Sequence, residues 1–254
     1  TVSADALLDG VEHVVRDVIA DAGQPDAIGV GVPSQIEFAT GTVETSVNIP
    51  LTGVPLREEL GRRFGVPVYV DNDANCAALA EAHMVGVSHL VMLTLGTGVG
   101  GGVVIDGMTF RGAHGLGAEL GHIAVNSDGP PCPGNCPNRG CLEAYCSGQA
   151  LERDGTELAS DKPDSPLAER LGPDGRLSAR KLVAAAEDGD QDALLIMENF
   201  GRMLGIGIAN YVNVFQPIRL AIGGGLSRAS HLFFDRAVQE ASARTLPALW
   251  KRVT

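Results

Sequence analysis

The chain of 254 residues is poor in lysine, in aromatic residues and in long apolar runs. Lysine stands only at positions 162, 181 and 251, and the net charge is −12. Phosphate backbones are bound by clustered cations, so this balance argues against a nucleic-acid surface on the segment. No apolar run is long enough to cross a bilayer, and no signal peptide opens the chain. Aromatic residues make up only 4%, beside 44% hydrophobic residues and 33 glycines. That composition argues against disorder and for an α/β globule of Val, Ala and Leu with tight turns. The length allows one large domain or two small ones.

The hydrophobic pattern alternates between helix and strand. Leu7, Val11, Val14, Val15 and Val18 follow helical spacing and predict a helix over roughly 3–22. Strands are expected at 27–32, 41–46, 66–71, 89–95, 101–107 and 119–126, with helices at 55–65 and 73–86. From Leu142 onward the chain reads as mostly helical, with 152–178 as a surface excursion. A late strand, 218–223, ends in Gly223-Gly224-Gly225 and gives way to a helix. Strands alternating with helices predict a layered α/β fold.

Four motifs carry chemistry. Gly96-Thr97-Gly98-Val99-Gly100-Gly101 has the form G-x-G-x-x-G, but Val103-Val104-Ile105 continues as strand rather than helix. That context excludes the dinucleotide fingerprint, and there is no P-loop lysine. A glycine turn between strands can instead aim backbone N–H groups at a phosphate. The alternative is a ligand-free turn; the phosphate reading is preferred because five glycines exceed what one turn needs. Asp71-Asn72-Asp73-Ala74-Asn75 lies where a strand gives way to a helix. Asp73 is either a helix N-cap or a general base at a strand end. Glu119 and His122 stand three residues apart among Gly115, Gly117 and Gly121, which implies close packing. Of 5 cysteines, Cys132, Cys136 and Cys141 fall within ten residues. With His122 they make a tetrahedral Cys₃His set for structural zinc, which is preferred to a disulfide with a spare thiol. Cys76 and Cys146 read as packed thiols. Zinc on thiolates implies a reducing, cytoplasmic setting.

IGVGVPSQIE (28–37), SVNIPL (46–51), VDNDAN (70–75), LGTGVGGG (95–102), GAELGH (117–122), GNCPNRGCLEAYCSG (134–148) and AIGGG (221–225) together resemble the ROK family of repressors, open reading frames and kinases. That family lies within the actin-like, ribonuclease H-like and hexokinase-like ATPases, and the chain looks most like its glucokinases. The resemblance implies a two-lobed α/β ATPase, with a small lobe (1–88) and a large lobe (89–254) that carries the zinc loop 132–141. It implies that Asp73 is the base for a sugar 6-hydroxyl attacking the γ-phosphate of ATP. Asn72, Glu119, His122 and Glu143 would bind the sugar, with Asn48 and Ser34 as weaker candidates. Gly96, Thr97 and Gly98 would meet phosphate, and Gly223, Gly224 and Gly225 the adenosine side. Mg²⁺ would accompany ATP, and a homodimer is the family expectation. One departure stands out: the family's opening D-x-G-G-T has no match here, since Asp21-Ala22-Gly23 is followed by Gln24-Pro25. Both ends are therefore read as missing. The competing function is a sugar-sensing repressor whose DNA-binding domain precedes this segment.

Overall fold

The computed structural model describes residues 2–46, 48–134 and 136–254. Val47 and Asn135, each inside one of the motifs above, and Thr1 lie outside the described residues.

Helix α1 (Ala4–Ala22) starts at Ser3, whose side chain accepts the Ala6 N–H as an N-cap. Strand β1 (Ile28–Val32) pairs in parallel with β4 (Val68–Asn72), from Ile28 opposite Val68 to Val32 opposite Asn72. Between them run a small antiparallel pair, β2 (Gln35–Glu37) and β3 (Thr42–Thr45), and helix α2 (Leu56–Phe64). Gly65 ends α2 in the left-handed conformation at φ 69°. Leu8, Val32, Ile36, Val43, Leu60 and Val70 make one hydrophobic core from these elements.

Helix α3 (Asp73–Val85) leaves the end of β4 without a break. It leads to a four-stranded sheet in the order β7-β6-β5-β8. Strand β5 (Leu90–Leu95) runs antiparallel to β6 (Val99–Ile105) and parallel to β8 (Arg219–Gly223), while β7 (Met108–Thr109) extends the edge. The remaining helices are α4 (Glu143–Cys146), α5 (Gly148–Asp161), α6 (Ala179–Glu187), α7 (Gln191–Phe215), α8 (Phe234–Arg244) and α9 (Pro247–Trp250). They cover the sheet in a second core built on Leu93, Leu95, Val103, Leu142, Phe200 and Leu204. A third, smaller cluster joins Ala78 and Ala82 of α3 to Leu90 and Val104 of the sheet. Helix α3 thus lies between the two larger cores.

Most expected elements are present within a few residues, and two expectations fail, one of them in part. Residues 119–126 are not a strand. Leu120–His122 form a 3₁₀ turn, and only Ala124 makes a bridge, to Cys141. The chain there is held by the cysteine loop and not by a sheet: Val125 and Asn126 both donate to the Gly140 carbonyl. The surface excursion expected over 152–178 fails in part, because it begins only after Asp161. Residues up to Asp161 belong to α5, and Leu167 and Leu177 are fully buried as anchors of the connecting loop. No helix among the described residues is long and apolar enough to cross a membrane.

Candidate active site

A cavity of about 710 Å³ gathers the sequence-predicted residues. Its walls include Ser34, Asn48, Asn72, Asp73, Gly96, Thr97, Gly98, Glu119, His122, Glu143 and Gly224. Gly223 and Gly225 lie outside that lining, although they flank Gly224. A separate surface groove between α5 and α7 holds none of these residues.

The Asp71-Asn72-Asp73 turn sorts its three side chains into different tasks. Asn72, not Asp73, is the N-cap of α3: its Oδ1 accepts from the N–H groups of Ala74 and Asn75 at 2.9 and 3.1 Å. Its Nδ2 donates to the Ser34 carbonyl at 3.2 Å, which leaves one amide hydrogen for a ligand. Asp71 is saturated. Its Oδ1 accepts from the Asn72 N–H and from Asn75 Nδ2, and its Oδ2 accepts from Arg111 Nε and Nη2. Asp73 remains exposed in the cavity, and its carboxylate takes only the neighbouring Ala74 N–H, at 2.9 Å. Of the two aspartates, Asp73 therefore has lone pairs to offer a ligand.

The glycine turn Gly96–Gly98 joins β5 to β6. Its carbonyls are tied to the start of α5, with Gly148 N–H donating to Gly96 and Gln149 N–H to Thr97. Packing accounts for most of the glycines that follow. A Cβ on Gly98 would lie 2.5 Å from Glu143 Oε2. One on Gly100 would meet Thr94 at 2.6 Å, one on Gly101 Leu120 at 2.7 Å, and one on Gly102 Ala78 at 2.6 Å. Only Gly96 faces open space. The number of glycines is thus explained by α3 and the Glu143 carboxylate pressing on β6, and it does not by itself argue for phosphate. Gly224, at φ 87°, sits so close to the β5 backbone that a Cβ would lie 2.3 Å from the Leu95 carbonyl oxygen.

The opposite wall is the cysteine loop. His122 reaches it because Gly121 lets the 3₁₀ turn press on β6: a Cβ there would lie 2.1 Å from the Val99 carbonyl oxygen. The ligand atoms of His122, Cys132, Cys136 and Cys141 all lie within 4.8 Å of one another. Cys132 Sγ is 3.5 Å from His122 Nδ1, and Cys136 Sγ is 3.9 Å from Cys141 Sγ. Tetrahedral zinc with Zn–S of about 2.3 Å requires sulfurs roughly 3.8 Å apart, so the set fits that ion. None of the five cysteines is paired in a disulfide, and four gathered ligand atoms favour the metal reading over a disulfide with a spare thiol. Burial pushes the Cys132 thiol up to about 12 and raises Cys141 as well. Glu143, buried beside this loop, accepts the Val99 N–H at 2.7 Å. Cys146 is a packed thiol that donates to the Phe200 carbonyl. Cys76 is not packed. It is exposed on α3, and partial burial, together with the nearby Asp71 and Asp73 carboxylates, raises its thiol.

Sequence reasoning missed Arg111 and Gln35. Gln35 Nε2 donates to Glu119 Oε1 at 3.1 Å. Arg111 pairs with Asp71 across 40 positions of sequence, a contact that no local pattern signals.

The ROK family model matches residues 1–253. The chain belongs to the ROK family. It is 38% identical over 244 residues to the glucokinase of Thermotoga maritima, covering 92% of this chain and 76% of that one. Among solved structures it is similar to a ROK family transcriptional regulator, a homologue of the E. coli MLC protein. That match has a TM-score of 0.86 and 29% identity, and covers 100% of this chain and 64% of the regulator. It is also similar to a ROK family glucokinase from Streptomyces griseus in complex with glucose and AMPPNP, at a TM-score of 0.79 and 30% identity over 98% of this chain and 81% of that one. The fold is accordingly the actin-like ATPase fold of the ROK hexokinases.

Proposed function

We propose that the chain belongs to an ATP-dependent hexose kinase with Asp73 as the base, glucose being the favoured substrate. The observation that carries this reading is the contrast within one turn: Asp71 is saturated by four donors, while Asp73 stands in the cavity with free acceptor capacity. Asp73 orients the sugar 6-hydroxyl and takes its proton as the oxygen attacks the γ-phosphorus. The bond to the ADP oxygen breaks on the far side. In a loose, in-line transfer this is chiefly positioning. Asn48, Asn72, Glu119, Glu143 and the Nε2 face of His122 supply hydroxyl partners along the same cavity. The turn at 96–98 faces the phosphates, and Gly223 to Gly225 the adenosine side. Closure of a small lobe (1–88) on a large lobe (89–254) would exclude water.

Zinc is assigned to His122, Cys132, Cys136 and Cys141 on the geometry above. Its chemistry is structural: Nδ1 of His122 turned to the metal leaves Nε2 in a fixed orientation toward the sugar. Mg²⁺ would accompany the nucleotide phosphates. A cytoplasmic homodimer completes the proposal.

A sugar-sensing repressor is the second reading, supported by the 0.86 TM-score against the transcriptional regulator. The deciding experiment is sugar-dependent ADP release from Mg-ATP by the full-length protein, across glucose, N-acetylglucosamine, N-acetylmannosamine, fructose and allose. Turnover with one sugar establishes the kinase and its substrate. Sugar binding without turnover favours the sensor.

A further inference from the structure

We propose that Arg111 and Asp71 are a positioning pair that holds the Asp73 turn and the Glu119 loop in one arrangement; the inference rests on the phosphotransfer reading above. Arg111 Nε and Nη2 donate to Asp71 Oδ2 at 2.9 and 2.6 Å, and Nη1 donates to the Thr109 carbonyl at 3.2 Å. The same guanidinium lies over the Phe38 ring, with Cζ 3.8 Å from its centroid. One planar cation thereby clamps three segments: the end of β4, the residue just past β2, and the loop that leaves β7.

Each of these segments delivers a site residue. The end of β4 passes directly into Asn72 and Asp73. Strand β2 carries Gln35, which holds Glu119. The loop leaving β7 begins at Arg111, is closed by Gly117 N–H donating to the Arg111 carbonyl, and ends at Glu119. Gly115 seats this loop on β2, where a Cβ would lie 2.8 Å from both Ile36 O and Phe38 N. Neither Arg111 nor Asp71 lines the cavity, so neither is a catalytic residue.

The pair differs from an ordinary surface bridge. Its side chains are only 17% and 14% exposed, and two guanidinium nitrogens converge on one carboxylate oxygen, Asp71 Oδ2. Such geometry fixes orientation as well as charge. It also joins the two halves of the fold, because Asp71 ends a strand of the first sheet and Arg111 follows β7 of the four-stranded one. Lysine, a point charge, offers neither the two-pronged contact nor the stacking.

The test uses Arg111→Ala, Arg111→Lys and the double variant Arg111→Ala/Asp71→Asn of the full-length protein. Arg111→Ala is expected to lower kcat/KM by about 10- to 100-fold while the protein stays folded. Millimolar guanidinium, filling the site between Asp71 and Phe38, should restore much of that loss in the single variant and none in the double one. Arg111→Lys should recover melting temperature better than turnover. Amide hydrogen exchange should rise at 72–75 and 112–119 in Arg111→Ala, a readout that needs no substrate. Wild-type exchange in those segments overturns the proposal whatever the activity. So does a loss that guanidinium leaves unchanged in the single variant. If the wild-type protein phosphorylates no sugar, the kinase reading fails separately, and the exchange measurement still judges the pair.

Discussion

On the Asp73 side of the cavity, the groups that fix the turn find their partners within the chain. Asn72 caps the helix, and Asp71 is filled by Arg111, Asn75 and a backbone N–H. On the His122 side, three thiols and an imidazole face one another across less than 5 Å, and burial keeps Cys132 and Cys141 protonated. Such a wall holds its shape only when a cation replaces those protons. The first wall is preorganised by hydrogen bonds, and the second, on the zinc assignment proposed above, by a metal. The two should therefore respond differently to perturbation.

The largest expected effect is on the first wall. Asp73→Asn keeps the size of the side chain and removes the proposed base. Turnover should fall by about 10²- to 10⁴-fold, while sugar affinity measured by calorimetry stays near wild type. Retained turnover would show that the free carboxylate of this turn is not the base. The Asn72 cap should survive the change, so the helical signal of α3 is expected to be intact.

Next comes the second wall. Cys136→Ser should abolish stoichiometric zinc and free His122 to rotate. Sugar affinity is expected to fall by about 10- to 100-fold. A strong chelator should reproduce both results in the unaltered protein, with sugar binding read by calorimetry in the absence of nucleotide. Unchanged sugar binding after complete zinc loss would separate the knuckle from the sugar site.

These two walls were also unequally legible in the sequence. The cysteine loop announces itself, because three cysteines and a histidine at short spacing serve few purposes. The Asp73 turn does not: its sequence leaves Asp73 as either cap or base. The structure gives the cap to Asn72, and the filling of Asp71 depends on Arg111, 40 residues away. Local patterns recovered the helices whose caps are sequence-encoded, such as Ser3 before α1 and Gly86 after α3. They failed at 119–126, where alternating Ile123 and Val125 mimic a strand but the chain is held by the cysteine loop. They failed again at Leu167 and Leu177, isolated apolar residues in a polar stretch whose burial depends on distant helices.

A third perturbation probes the seam between the cores. A Cβ on Gly102 would lie 2.6 Å from the Ala78 Cβ and 2.8 Å from the Ala74 carbonyl oxygen. Helix α3 would have to lift from β6, carrying Asp73 with it. Gly102→Ala should cost about 1–3 kcal/mol of stability, read by denaturant unfolding. Turnover should drop as well, since the proposed base, Asp73, rides on the displaced helix.

The smallest effect on stability separates the two meanings of a glycine in this turn. Gly96 has no neighbour within 4 Å of a built Cβ, and its φ is not in the left-handed region. Gly96→Ala should therefore leave unfolding unchanged or raise stability by about 0.4–1 kcal/mol, through the unfolded chain alone. The added methyl would project into the cavity where the phosphates are proposed to lie. Weaker ATP binding with unchanged stability would mark Gly96 as the one glycine kept open for the nucleotide. Unchanged ATP binding would leave the whole run from Gly98 to Gly102 explained by the packing of α3, Leu120 and Glu143, and would move the phosphate contacts to Thr97 or to the Gly224 turn.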